Sequence, residues 1–353
     1  MEDKFEKIFK LIENEHEKEK NLTVNSKPLI IDALNNFIRV WVVMPTVNED
    51  GQHVGGITGF LQTIGTSIRA LRPTRIFVVL DGKDASKRRK KIFPEYKENR
   101  GGGMRLNRAH TFASEEEEVK QMKYQMSRVI QYLKNLPVTF ISIDGIEADD
   151  TMGYLTNLCK QKPELQELFL MSSDKDFYQL IDDKVKIWSP VKKQIIDKEY
   201  ILKNYDNIHP TNFILYKAMI GDKSDNIPGI KGLGVKTIAK SFQMLKEDKK
   251  YTPSDIIDYS SRQPDDVRAF RLLLDNKNQF ILNYELMLLS GGKMIPTSSA
   301  LRILDLFNKK IPEINLLNIQ KLVRYDKIWN SFKNINEWIL TNFSILNKFA
   351  KTN

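Results

Sequence analysis

The chain has 353 residues, of which 41% are hydrophobic and 28% charged, and its formal net charge is +10. These values are typical of a globular protein with a sizeable core, and the basic surplus favours a polyanionic partner such as nucleic acid. The single cysteine, Cys159, excludes an intrachain disulfide, and no apolar run approaches the roughly 20 residues that span a bilayer. We therefore expect an intracellular protein that does not act on a membrane.

The first elements predicted along the chain are a charged helix and then a parallel sheet. Residues 1–27 have the spacing of an amphipathic helix, with Phe5 and Phe9 on its apolar face. Short apolar runs alternate with helical patterns from residue 28 onwards, which is typical of βαβ units in an α/β fold. We assign residues 28–203 to this domain and residues 204–353 to a mostly helical region. The apolar runs lie at residues 29–31, 76–80, 138–143 and 168–171.

A basic segment follows the second apolar run. Residues 82–110 hold ten basic and three acidic side chains, and Pro94 together with a triple glycine interrupts any continuous helix. Tyr96 is interleaved with the charges, so a merely solvated surface explains the pattern poorly. We expect a mobile basic insertion outside the core. Four glutamates at 115–118 then begin a helix that extends to about Leu133, because acidic side chains complement the dipole at a helix N-terminus.

Carboxylates stand at or just after the ends of the four apolar runs. In open α/β sheets, active sites form outside the carboxyl ends of the strands, so these side chains are expected to share one crevice. Taken singly, each has an ordinary explanation as a turn residue, a loop acid or a helix N-cap. Their recurrence at successive strand ends favours a common site, which a pair in a later loop would complete. The candidates are Asp32, Asp81, Glu147, Asp149, Asp150, Asp174, Asp176, Asp222 and Asp225.

Such a cluster predicts a particular kind of metal site. Close carboxylates repel one another and raise one another's pKa unless a cation is present. Oxygen ligands without histidine or cysteine suit Mg²⁺ or Mn²⁺ and not zinc. Two such ions, roughly 4 Å apart, activate a water and stabilise the leaving oxygen of a phosphodiester. With the basic segment nearby, the sequence predicts hydrolysis of nucleic acid.

A glycine-rich hairpin at residues 229–234 is a second candidate binding element. Gly232 and Gly234 permit a tight turn, and the N–H groups at the start of the following helix are able to hold a phosphate. Lys236 and Lys240 add charge that binds phosphates without reading base sequence. The alternative is a simple turn between two helices, which explains the glycines but not the whole pattern.

These motifs together resemble the 5′-nuclease superfamily, which includes flap endonucleases, phage 5′-to-3′ exonucleases and the nuclease domain of bacterial polymerase I. The resemblance covers about residues 29–242, and residues 179–193 are similar to the phage ribonuclease H branch. It implies a PIN-like α/β fold with a central, mostly parallel twisted sheet flanked by helices. It is carried by Asp81-Gly82 and by residues 93–100, 147–150, 173–176 and 221–229.

The resemblance also implies roles for the candidate residues. One metal set would be Asp32, Asp81, Glu147, Asp149 and Asp150, and the other Asp174, Asp176, Asp222 and Asp225. The basic segment, residues 82–115, would be a helical arch through which a 5′ single strand passes, and residues 219–242 a helix–hairpin–helix clamp that binds duplex DNA and a potassium ion. Catalytic cations would be Lys83, Lys97 and Arg100. Nucleic-acid contacts would come from Arg39, Arg88, the base-stacking Tyr96, Gly229, Gly232, Gly234, Lys236, Thr237 and Lys240.

The expected activity is a magnesium-dependent structure-specific 5′ nuclease, a monomer of the bacterial or phage-infected cytoplasm. Its substrates would be branched or nicked DNA with a 5′ single strand, or RNA annealed to DNA, and its partners a single-strand-binding protein or a sliding clamp that docks on the C-terminal helices. Ala33 departs from the family, which usually has glycine there, but it removes no ligand. Two alternatives stay open, a non-catalytic protein that binds DNA junctions and a ribonuclease of the related PIN-like fold.

Overall fold

The computed structural model describes residues 22–101, 107–264, 266–289, 293–332 and 334–352. Within these residues, six strands form one sheet in the order β3-β2-β1-β4-β5-β6, and all neighbours run parallel except β5 and β6. The α/β fold class and the four strands expected from the apolar runs are confirmed. The strands are β1 (Pro28–Asp32), β2 (Arg75–Asp81), β3 (Thr139–Ile143), β4 (Leu168–Met171), β5 (Val185–Ser189) and β6 (Gln194–Ile196).

Helices connect the strands and cover both faces of the sheet. Asp32 ends β1 and caps the next helix, because its Oδ1 accepts a hydrogen bond from the N–H of Asn35. The helix predicted from the four glutamates is confirmed at Glu115–Leu133, where the Ser114 hydroxyl accepts from the N–H of Glu117. The helices up to the last strand are α1 (Ala33–Val43), α2 (Gly55–Leu71), α3 (Lys87–Ile92), α4 (Glu115–Leu133) and α5 (Ala148–Lys160).

The later helices belong to the region that follows the sheet. Two short strands, β7 (Gly221–Asp222) and β8 (Ile227–Pro228), pair antiparallel between two of these helices. Among the described residues, no helix has the length and apolar character needed to cross a membrane. The helices are α6 (Lys198–Asn204), α7 (Phe213–Ile220), α8 (Val235–Ser241), α9 (Pro253–Ser261), α10 (Arg268–Asp275), α11 (Lys277–Met287), α12 (Thr297–Asn308), α13 (Leu316–Asp326) and α14 (Ile335–Thr352).

Two hydrophobic cores lie on opposite faces of the sheet, because successive strand residues point to opposite sides. Ile30 and Phe77 pack into one core, together with α5, α7 and α12. Leu29 and Val78 pack into the other, together with α1, α2, α4, α13 and α14. The C-terminal helices therefore return to the sheet and complete both of its faces.

The outlying segments differ in part from what the sequence predicts. Most of the N-terminal helix predicted at residues 1–27, including Phe5 and Phe9, lies outside the described residues, and residues 24–27 form a turn and not a helix. The two strands β5 and β6 were not predicted. The basic insertion is not wholly outside the core, because Tyr96 is buried against Ile214, Ile227 and Met287. Burial of this ring holds the segment against the later helices.

Candidate active site

The strand-end carboxylates meet at one edge of the sheet, as the topology requires. Asp32 and Asp81 are the last residues of β1 and β2, which are neighbours in the sheet. Asp81 Oδ1 accepts a hydrogen bond of 2.6 Å from the N–H of Ala148 at the start of α5, which brings Asp149 to the same edge. Asp174 follows β4 and accepts from the N–H of Asp176 at 2.8 Å. Four strand ends thus supply one cluster.

The surroundings of the cluster disfavour the ionised form of two of its carboxylates. Burial raises the pKa of Asp32 to about 7, and the nearby Asp81 and Asp174 add to the effect against hydrogen bonds from Asn35 and Ser172. Burial, reinforced by Asp174 and Asp32, also raises the pKa of Asp149 well above its usual value. Carboxylates that perturb one another in this way occupy a common site, and their ionised forms are stabilised by a cation.

The second predicted set is paired with a lysine that the sequence analysis did not single out. Lys217 of α7 forms ion pairs with Asp176 and with Asp222, the latter at 2.7 Å. Burial raises the pKa of Asp176 to about 7 in spite of Lys217. At Asp222 burial acts in the same direction, but Lys217 and the hydrogen bonds from Ser224 together outweigh it and lower the pKa to about 2. A cavity of about 490 Å³, lined by Asp174, Asp222 and the ring of Tyr205, opens beside this set. A substrate strand has room to approach here.

The basic segment closes over the other side of the cluster. The Lys97 ammonium donates to Glu147 Oε1 at 2.6 Å, as expected for a catalytic cation near the carboxylates. Tyr96 differs from expectation, because its ring is only 2% exposed and is therefore closed to base stacking in this conformation. Its hydroxyl oxygen lies 3.1 Å from Glu147 Oε2 and 3.0 Å from Asp225 Oδ2, so its single proton is within hydrogen-bond reach of both carboxylates. Tyr96 thus joins the two predicted metal sets.

The donor set fits divalent cations of the hard, oxygen-preferring kind. Among the described residues, no three of these donors already stand close enough to hold an ion in their present positions. The oxygen-only chemistry and the raised pKa values of Asp32 and Asp149 nevertheless match Mg²⁺ or Mn²⁺, since either ion would relieve the mutual repulsion.

The remaining predicted cations lie in different surroundings. Lys83 and Arg88 are exposed and line a surface cleft of about 440 Å³ next to the turn that follows β3. Arg39 is half-buried on α1, and its Nη1 has no hydrogen-bond partner among the described residues. The side chain of Arg100 lies outside the described part. Ala33, the departure from the family pattern, is buried at the start of α1 and leaves Asp32 in place as the cap.

The glycine hairpin is built on close approach of the backbone. A Cβ at Gly229 would lie 1.9 Å from the Ile220 carbonyl oxygen, and Gly232 has a φ of +95° that favours glycine. Gly234 is the N-cap of α8. The side chains of Lys236, Thr237 and Lys240 are exposed along that helix, where a phosphate backbone has access to them. The nucleic-acid role of these residues remains a prediction.

Two buried cations that contact the candidate metal residues were missed, and each had only a weak signal in the sequence. Arg89 is one of five consecutive basic residues, of which it alone is buried, with a side chain 4% exposed that contacts Glu147. Lys217 is the one charged residue in the otherwise apolar helix α7. A charge inside an apolar helix is seldom buried without a partner, so Lys217 was the more detectable of the two.

The resemblance to the 5′-nuclease superfamily rests on parallel strands that end in aspartates, on the basic segment beside them and on the glycine hairpin. This resemblance is confirmed. More narrowly, the chain belongs to the family of 5′-3′ exonuclease N-terminal, resolvase-like domains, whose model matches residues 27–206. This match covers the whole of the sheet and the predicted metal residues up to Asp176. It leaves the glycine hairpin and the C-terminal helices outside.

Sequence and structure comparisons agree with this family. The chain is 30% identical over 225 residues to the 5′-3′ exonuclease of Buchnera aphidicola, which is 62% of this chain and 72% of that protein. It is 28% identical over 273 residues to DNA polymerase I of Borreliella burgdorferi, but spans only 27% of that polymerase. The T5 D15 protein, co-crystallized with metal ions, has the same fold at 20% identity, with a TM-score of 0.63 over 80% of this chain and 98% of the other.

Proposed function

We propose that this protein is a structure-specific 5′ nuclease that hydrolyses phosphodiesters with two Mg²⁺ ions, for which Mn²⁺ would substitute. The observation that carries the proposal is the convergence of Asp32, Asp81, Asp149 and Asp174 from four strand ends, where burial and the neighbouring carboxylates raise the pKa values of Asp32 and Asp149. When bound, the ions would supply an activated water and stabilise the leaving oxygen.

The chain's own residues position the metals and the substrate. Glu147 and Asp150 would complete the first set with Asp32, Asp81 and Asp149, and Asp176, Asp222 and Asp225 would complete the second with Asp174. Lys97, which contacts Glu147, is placed to neutralise the charge of the scissile phosphate as the strand enters. The exposed cations of α3 and α8 would bind the phosphates on either side without reading base sequence.

We expect the glycine hairpin and the arch to determine which nucleic-acid structures the protein cuts. The glycine hairpin would hold the backbone of duplex DNA and a potassium ion, and the arch would take the 5′ single strand. Together they favour 5′ flaps, nicks with a short 5′ strand, and RNA primers annealed to DNA, as occur in DNA replication and repair. A single-strand-binding protein or a sliding clamp would dock on the C-terminal helices, and the protein would act as a monomer.

Cleavage of two labelled substrates tests the proposal. The wild-type protein and Asp149→Asn would each receive a 5′-flap duplex and an RNA strand annealed to DNA, with Mg²⁺ or with EDTA. We expect cleavage only by the wild type and only with Mg²⁺, and product lengths that separate endonuclease from exonuclease action. Binding without cleavage of either substrate would instead identify a non-catalytic protein that binds DNA junctions.

A further inference from the structure

Arg89 makes the most extensive polar contacts of any side chain between the basic segment and the carboxylates that the structure describes. Its Nη1 donates to Glu147 Oε2 at 2.5 Å and to Asp150 Oδ2 at 2.6 Å. Its Nη2 donates to Asp150 Oδ1 at 2.8 Å, and its Nε to the Leu286 carbonyl at 2.7 Å. The guanidinium therefore fixes α3 to both α5 and α11.

The two neighbouring aspartates at the start of α5 have different surroundings. Asp149 lies within electrostatic reach of Asp174 and Asp32. Asp150 is 3% exposed, and both of its carboxylate oxygens accept from Arg89. Consecutive helix residues project about 100° apart, so one residue faces the cluster and the next faces α3. The bidentate contact with arginine occupies the oxygens that a metal would need.

We propose that Arg89 is a positioning residue that removes Asp150 from the metal-binding set. The first metal set then consists of Asp32, Asp81, Asp149 and Glu147, and Glu147 would bind through Oε1, the oxygen that contacts Lys97 and not Arg89. Arginine suits this task, because its planar fork matches a carboxylate at two points and it keeps its charge at any relevant pH. The inference refines the proposed function and depends on it.

The same contact gives the carboxylate at position 150 a role other than metal binding. Without a negative partner, Arg89 would be a buried cation whose nearest anion is Glu147, and it would compete with a metal for that residue. Asp150 satisfies Arg89 at two points and leaves Glu147 Oε1 facing Lys97. Loss of Asp150 alone should thus weaken metal binding indirectly, which a single substitution cannot distinguish from loss of a ligand.

A double-mutant cycle separates the two explanations. Arg89→Met, Asp150→Leu and the double variant would be compared with the wild type by calorimetric titration with Mn²⁺ and by urea unfolding in EDTA, both without nucleic acid. Each single variant should unfold at lower urea, because it leaves a buried charge unpaired, and the double variant should recover most of the loss. Asp150→Leu should bind Mn²⁺ at least about tenfold more weakly, and the double variant within about threefold of wild type.

The matched control is Asp149→Leu, alone and combined with Arg89→Met. Its Mn²⁺ affinity should stay low in both backgrounds, because Asp149 is assigned as a ligand. The inference is overturned if the double variant with Asp150→Leu binds Mn²⁺ as weakly as Asp150→Leu alone, or if the unfolding effects of the two substitutions are additive. A wild type that binds Mn²⁺ but cuts no substrate contradicts the proposed function alone, and one that binds no divalent ion contradicts both.

Discussion

Replacing Asp32 by asparagine should stabilise the protein when no divalent metal is present. Burial and the neighbouring carboxylates raise the pKa of Asp32 from 3.8 to about 7. Between these pH values the folded protein binds the proton and the unfolded chain releases it, so stability falls as pH rises from about 4 to about 7 and stays low above. Each pKa unit is worth about 1.4 kcal/mol, so the cost at pH 8 is on the order of 4 kcal/mol.

Urea unfolding at pH 4 and pH 8 measures the effect. In EDTA at pH 8, Asp32→Asn should exceed the wild type in free energy of unfolding by on the order of 2 to 4 kcal/mol, and near pH 4 the two should coincide. Saturating Mg²⁺ should reverse the order, because the wild type gains binding energy that the variant lacks.

The matched control is Asp197→Asn. Asp197 also caps a helix, with Oδ1 accepting from the N–H of Tyr200 at 3.0 Å, but it follows β6, the edge strand that runs antiparallel to β5. Asparagine and aspartate are equivalent caps to within a few tenths of a kcal/mol, so Asp197→Asn should leave the free energy of unfolding unchanged. Because Asp197 is not part of the carboxylate cluster, Mg²⁺ should not alter that result. Equal stability of Asp32→Asn and wild type in EDTA at pH 8 would refute the reasoning.

Three further outcomes are expected. Asp326→Asn should cost about 3 kcal/mol in urea unfolding, because the buried Arg128 donates three hydrogen bonds to that carboxylate. Gly229→Ala should abolish duplex binding and lower the urea midpoint, whereas Gly234→Ala, which meets open space, should cost under about 1 kcal/mol of stability. Lys217→Met should destabilise the metal-free protein by about 3 kcal/mol, and Mg²⁺ should restore much of that loss.

Each of these outcomes has a clear contrary result. Unchanged unfolding of Asp326→Asn would mean that Arg128 finds another partner. Equal effects of the two alanine substitutions would show that close backbone approach at Gly229 does not constrain the hairpin. If Mg²⁺ stabilises Lys217→Met no more than it stabilises the wild type, the Lys217 ammonium and the metal do not neutralise the same carboxylates.

The sheet was largely predictable because its strands are buried on both faces, so that they appear as continuous apolar runs. β5 and β6 were not predicted, because neither appears in the sequence as a continuous apolar run. Lys186 interrupts the apolar pattern of β5, and β6 is a three-residue edge strand with one exposed residue, Ile195. Short edge strands are specified by their neighbour in the sheet and not by their own sequence.

The carboxylate side of the candidate site was predictable from topology, since an aspartate that ends a parallel strand is carried to the same edge as its neighbours. The arrangement of the basic residues around these carboxylates was not predictable. Arg88 and Arg89 are identical in type and adjacent in sequence, yet one is exposed and the other is buried against Asp150. Only the packing of α3 on α5 distinguishes them. The burial of Tyr96 was not predictable either, because it depends on packing of the ring against Ile214, Ile227 and Met287, which lie far along the chain.

The return of the C-terminal helices to the sheet limits how the chain tolerates truncation. The ring of Phe307 on α12 lies parallel to that of Phe77 on β2, with centroids 5.5 Å apart, and Phe343 of α14 is fully buried in the opposite core. A fragment ending at residue 203 would expose apolar surface on both sides of its sheet to water. The segment up to residue 203 therefore depends on the later helices to cover both faces of its sheet.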